Sequence, residues 1–239
     1  ESWKKTAQMD GNTKYNGNTV RDDLAEDPRM VILWAGYAFS KDYKHPRGHA
    51  YAVTDIRQSL RTGAPTNEKD GPQPATCWAC KSPDVPRLMS KNGISNFYKG
   101  KWAGLVSEVI NPIGCADCHD PETMSLQITR PALIEAFSRR GVDVTKASHQ
   151  EMRALVCAQC HVEDYFKGEG KYLTFPWDKG MDAESMEAYY DAAKFSDWKH
   201  ALSRAPMLKA QHPDYEVFQT GLHARRREIH RRRRAKPAR

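Results

Sequence analysis

The sequence has no apolar stretch near the roughly 20 residues needed to span a bilayer, and its longest apolar run is "MVILWAGYAF". It is also poor in aliphatic mass. Hydrophobic residues make up only 39% of the 239 positions and the mean hydropathy is −0.77, which is lean for a chain long enough to bury a sizeable core. A core completed by something other than side chains would account for the shortfall. Strand-like alternation is scarce, nothing repeats beyond pairs of cysteines, and no low-complexity stretch precedes the C-terminal tail.

A net charge of +7 would suggest an acidic partner if it were spread over a folded face. It is not. From Ala224 onward "ARRREIHRRRRAKPAR" holds nine Lys or Arg against one Glu, more than the whole surplus, so residues 1 to 223 are slightly acidic. A nucleic-acid partner would have to rest on the tail alone, and none is expected.

No cysteine stands outside a pair. Cys77 and Cys80, Cys115 and Cys118, and Cys157 and Cys160 each enclose two residues. Structural zinc, thioredoxin-like redox chemistry and covalent c-type haem all use such pairs. The next residue discriminates, because in haem attachment the cysteines form thioethers to the porphyrin vinyls while the following side chain reaches the iron. "CADCH" supplies His119 and "CAQCH" supplies His161. Zinc has no need of His at that offset, and thioredoxin chemistry would want a βαβ context that the flanks do not show. The third pair reads "CWACK", with Lys81 at the ligand position. Taken alone it is ambiguous. A neutral amine can ligate iron, but its free pKa near 10.4 means that burial or the metal must remove a proton. The plainer alternative is a solvated lysine beside a degenerate motif.

Helical pattern dominates. "SHQEMRALVCAQCH" opens with a capping box, Ser148 and Glu151, and puts His161 at or just past a helix end. "HAYAVTDIRQSLRTG" reads as an amphipathic helix stopped at Gly63. "RPALIEAFSRRG" reads as another, with Pro131 near its start and Gly141 as its stop. "DAESMEAYYDAAKFSDWKHAL" is expected to be helical with a break near Phe195. If His119 and His161 are proximal ligands, a second His must come from elsewhere for each bis-histidine haem. His49, opening a helix behind "PRG", and His212, in the polar loop "MLKAQHPDY", stand out from the other histidines.

From about Arg29 to His223 the sequence resembles the ammonia-forming cytochrome c nitrite reductases, a pentahaem family. The shared motifs are "PRGHAYAVTDIRQSLRTGAP", "CWACKSPDV", "GCADCH", "CAQCHVE", "FPWDKGM", "FSDW" and "MLKAQHP". The resemblance implies a mainly α multihaem cytochrome c whose helices and long loops pack around covalent haem c, a periplasmic location and six-electron reduction of nitrite to ammonium. It further implies a quinol-linked or cytochrome electron donor, and homodimers. Lys81 becomes the proximal ligand of the catalytic haem held by Cys77 and Cys80, and Arg61 and His212 stand above it. His49 becomes the distal ligand of the third haem. Calcium falls to Glu163, Asp164, Lys209 and Gln211.

Two departures from the family pattern matter. The family reads "HVEYYF" where this chain has "HVEDYF", so Asp164 stands in the place of a catalytic tyrosine and adds negative charge to a pocket meant for an anion. After "TGLH" the family continues into two more CxxCH motifs and dimer-forming helices. Here the basic tail follows, leaving three haem motifs in residues 1–223 and no attachment for the haem that His223 would serve. The tail, 224–239, is expected to be disordered or aberrant. The competing functions are an electron-transfer cytochrome without nitrite turnover and a zinc-dependent nucleic-acid-binding module.

Overall fold

The computed structural model describes residues 20–62 and 73–224, and they belong to two compact units. The stop expected at Gly63 and the tail beyond Ala224 lie outside the described residues. Helices are mostly short. Strand is confined, among the described residues, to two two-stranded sheets, Tyr165–Lys167 with Tyr172–Thr174 and Trp198–Lys199 with Pro206–Met207.

One unit takes in Glu1–Asp117, Gly168–Tyr172 and Ser196–Leu208. The helix Asp84–Asn92 spaces Val85, Leu88 and Met89 along one face, and all three are buried. Gly93, at φ +78°, ends that helix in a conformation a side chain would resist and starts the helix Ile94–Lys99, which buries Phe97 and Tyr98. The Ala75 N–H donates to Gly100 O at 2.8 Å and the Trp102 N–H to Gln73 O at 2.9 Å. The segment leading into Cys77 therefore lies beside the one leaving Lys99. Trp78 is stacked on Trp102 with centroids 4.7 Å apart, and its indole N–H donates to Trp102 O at 3.0 Å.

A second cluster in the same unit is aromatic: Trp34, Tyr37, Phe39, Tyr43 and Trp198. Gly36 lets the chain approach closely, since a Cβ there would lie 3.0 Å from Lys199 O. The helix expected to begin at His49 starts as a 3₁₀ turn, His49–Tyr51, and continues as Ala52–Gln58. The stretch after Phe195 also differs from the helical reading, because Trp198 pairs with Met207 in a strand and stacks 4.5 Å from Tyr37. Tertiary packing of one indole overrides local propensity there.

The other unit takes in Cys118–Lys167, Leu173–Phe195 and Lys209–Arg239. The helix Pro131–Arg139 has its proline in the first turn, buries Ala132, Leu133, Ala136 and Phe137, and is followed by Gly141 at φ +73°. The helix His149–Ala158 begins with the expected capping box: Glu151 N–H donates to Ser148 Oγ and Ser148 N–H to Glu151 Oε2. The helix Ala183–Ala193 ends at Lys194, which takes a left-handed backbone, so the expected break is one residue early.

Gln159 ties two of these pieces together. Its Oε1 accepts the N–H groups of Thr129 at 2.9 Å and Arg130 at 3.1 Å, just before Pro131, and the side chain is fully buried. Gln159→Leu removes that acceptor and is expected to cost about 2 kcal/mol, the price of leaving buried donors unpaired. The readout is a lower denaturant midpoint at unchanged slope. A loss under about 0.5 kcal/mol, the ordinary value for a surface change, would contradict the clamp.

Candidate functional site

In the first unit the chain from Ala75 to Trp78 forms a 3₁₀ turn, and the Lys81 N–H closes the next one on Trp78 O at 2.9 Å. The turn buries its two inner residues, Trp78 and Ala79, and leaves Cys77, Cys80 and Lys81 half-buried. Among the described residues the Lys81 ammonium has no hydrogen-bond or ion-pair partner.

Arg61 is in the same unit. Its guanidinium lies over the Phe39 ring, 4.1 Å from the centroid, and Phe39 is itself packed by Tyr37, Trp34 and Tyr43. Gln73 ties the arginine to the lysine-bearing turn: its Nε2 donates to Arg61 O at 3.3 Å and its Oε1 accepts from Cys77 Sγ at 3.8 Å. Burial lowers the Arg61 pKa, with Asp42, Cys77, Tyr37 and Tyr43 acting against it, and the group stays charged at neutral pH. Its Nε is buried without a partner among the described residues. A fixed, incompletely satisfied cation of this kind suits an anion. His49 opens its 3₁₀ turn exposed, behind Gly48.

The second cysteine pair is held differently. Cys115–Asp117 is a 3₁₀ turn, and buried Asp117 accepts the Gly114 N–H at 2.9 Å. Following it in the second unit, His119 Nδ1 lies 2.7 Å from Met124 O. A carbonyl only accepts, so Nδ1 carries the proton and Nε2 keeps its lone pair. His161 follows the same rule, with Nδ1 2.9 Å from Asp214 Oδ2. Partners at Nδ1 orient metal-binding imidazoles and raise their basicity. Together with the six cysteine thiols of the three pairs, these side chains fit covalent haem.

The loop residues Glu163, Lys209, Gln211 and His212 come together in the second unit. Glu163 is buried and accepts from Tyr190 Oη at 2.8 Å and from the Gln211 N–H at 2.6 Å. The His212 N–H donates to Val162 O at 3.2 Å, and its ring lies 6.4 Å from that of His161. Lys209 Nζ donates to Gln211 Oε1 at 3.2 Å and to Ala210 O at 3.1 Å, so amide and carbonyl oxygens here already face a positive charge. Among the described residues no three His, Cys, Asp or Glu side chains form a metal-holding group; a cation beside Glu163 would draw on such neutral oxygens. Asp164 is half-buried. Tyr165 is turned inward, its hydroxyl 2.8 Å from that of Tyr189 and its ring packed on Phe195 and Tyr190, so it does not take over the position of Asp164.

Gln73, Phe39, Asp214 and Glu216 escaped the sequence reading. Asp214 could have been found, two residues past His212 in the same loop. The others carry no local signal.

A helical fold with three Cys-x-x-Cys turns, two of them followed by a histidine oriented through Nδ1, defines a multihaem c-type cytochrome. The Cytochrome c552 family profile matches residues 1–228, and the chain belongs to that family. It is 67% identical over 226 residues to cytochrome c-552 of Parabacteroides distasonis and 65% identical over 226 residues to that of Bacteroides thetaiotaomicron, covering 95% of this chain and 46% of each relative. It thus spans about half the length of the curated relatives it matches. A solved structure of cytochrome c nitrite reductase from Desulfovibrio desulfuricans, a catalytic subunit with two calcium sites, superposes with a TM-score of 0.76 at 38% identity, covering 82% of this chain and 45% of that one. Among the described residues no helix is long and apolar enough to cross a membrane.

A carboxylate at Nδ1 makes an imidazole a stronger donor at Nε2, and an iron held there would be favoured in its oxidised state. In the haem-loaded chain Asp214→Asn is therefore expected to raise the reduction potential of the haem at Cys157 and Cys160, read by potentiometric titration. An unchanged potential would remove this pair from the account.

Proposed function

We propose that this chain carries the nitrite-binding part of a periplasmic, ammonium-forming nitrite reductase. The observation that carries the reading is the half-buried Arg61 guanidinium, stacked on Phe39 and tied through Gln73 to the Cys77–Lys81 turn. An electron carrier needs no such cation.

When bound at Cys77 and Cys80, haem c would supply an iron that accepts nitrite and electrons. Lys81 would hold the proximal side through a deprotonated amine, for which no protein acceptor competes among the described residues. Arg61 attracts the anion and stabilises charge on its oxygens as the N–O bonds break. His212 supplies protons from its ring. Each nitrite takes up six electrons and eight protons, giving ammonium and two waters. His119 and His161 would bind the relaying haems through Nε2, with His49 as the distal ligand of the third. Calcium would sit at Glu163, Asp164, Lys209 and Gln211, as its presence in the D. desulfuricans enzyme suggests. Residues 1–223 would form the working region, supplied by a quinol-linked or cytochrome donor, with the basic tail taking no part and binding no nucleic acid; the family's homodimer would draw on helices beyond those of this sequence.

Asp164 favours a second reading, electron transfer without turnover, because a carboxylate at the family's tyrosine position repels nitrite and cannot copy a phenol's hydrogen bond. The test is oxidation of a reduced viologen by nitrite, with ammonium measured as product. Asp164→Tyr is expected to raise the rate about tenfold or more, equivalent to about 1.4 kcal/mol. Arg61→Ala is expected to lower it by about 10²–10³-fold. Haem reduction without ammonium in both the parent chain and Asp164→Tyr would leave only the electron-transfer reading.

A further inference from the structure

Glu216 is an acidic residue with almost no access to water. It lies on the helix Asp214–Thr220 and its side chain is 3% exposed. Its Oε1 accepts two hydrogen bonds, from the Glu163 N–H at 2.9 Å and from the Trp177 indole N–H at 2.8 Å. Its Oε2 is buried with no partner among the described residues. Burying a carboxylate with one oxygen unsatisfied is costly, so the two bonds at Oε1 must matter to the fold or to the site.

They converge on one point. Trp177 is fully buried and packs on Phe137 and Phe175, so its indole N–H is a fixed reference for the carboxylate. The carboxylate passes that fixed position on to the backbone of Glu163. The Glu163 side chain is steered separately, by Tyr190 and the Gln211 N–H. Backbone and side chain of the same residue are thus held by different partners, which leaves its carboxylate little freedom.

We propose that Glu216 is a positioning residue for the cation site at Glu163, acting through Oε1 as an acceptor rather than through its charge. The proposal rests on the reading of Glu163 as a calcium-binding residue. Without the Oε1 acceptor, the Glu163 backbone loses its anchor to Trp177 and its carboxylate can turn away from the neutral oxygens of the 209–211 loop. Substitutions that disturb the partner of a metal ligand weaken metal binding by about 10–100-fold.

The experiment is calcium titration of the haem-loaded full chain by calorimetry, together with hydrogen exchange at the Glu163 amide. Glu216→Gln keeps the acceptor oxygen and is expected to hold calcium affinity within about threefold and to leave amide protection unchanged. Glu216→Leu removes the acceptor, and Glu216→Asp keeps the charge while withdrawing it by one methylene. Both are expected to weaken calcium by about 10–100-fold and to speed exchange at Glu163; if the leucine chain fails to fold, the aspartate chain decides. Glu216→Asp binding calcium as the parent does, or Glu216→Gln weakening it as much as Glu216→Leu, would overturn the proposal. Glu163→Gln separates the two levels. If it abolishes calcium binding while Glu216→Asp does not affect it, the positioning role fails and the calcium reading stands. If Glu163→Gln leaves calcium binding intact, the calcium reading itself fails and the positioning role with it.

Discussion

A Cys-x-x-Cys turn that attaches haem must show two thiols and an axial ligand outward while being held from within. Here each turn is pinned by one buried inner side chain, and each pin uses different chemistry. Trp78 stacks on Trp102 and donates to its carbonyl. Asp117 folds back on the Gly114 N–H of its own turn. Gln159 grips the chain just before Pro131. These contacts hold the backbone of each attachment point, and holding it limits the conformational freedom lost when a porphyrin is attached. This arrangement also fits the lean composition, because indole, amide and carboxylate do anchoring work that aliphatic side chains would otherwise do.

The parts of the fold legible in the sequence were those written within a few residues. The Ser148–Glu151 capping box, Pro131 in a first turn and Gly141 after a helix are short-range devices, and each is found where expected. The strand at Trp198 was not legible, because it depends on Tyr37, more than a hundred residues earlier in the chain. The same distinction runs through the site. Cys-x-x-Cys spacing announces itself, and Lys81 gains meaning from the two intact motifs beside it. Nothing near Glu216 in sequence points to its role, since Glu163 and Trp177 reach it only through the fold, and Gln73 likewise gains its role from lying between Arg61 and Cys77.

Electrostatics gives the site its direction. Arg61 is a half-buried cation stacked on Phe39, and among the described residues its Nε and the Lys81 amine of the same unit are without partners. In the other unit Asp214 and the Met124 carbonyl fix the tautomers of His161 and His119, which suits ligands that carry electrons rather than substrate. Asp164 works against this pattern. As a carboxylate at the family's tyrosine position it would oppose the nitrite binding proposed above, and Tyr165, packed on Tyr189 and Phe195, does not replace the missing phenol.

The central proposal is that the Cys77–Lys81 turn carries an iron site open to an anion. Electron paramagnetic resonance of the ferric, haem-loaded chain with and without nitrite tests it most directly. The account predicts a high-spin signal that changes on adding nitrite and is altered by Lys81→Ala, with the signals of the His119 and His161 haems unaffected by that substitution. A spectrum that neither nitrite nor Lys81→Ala changes would contradict it.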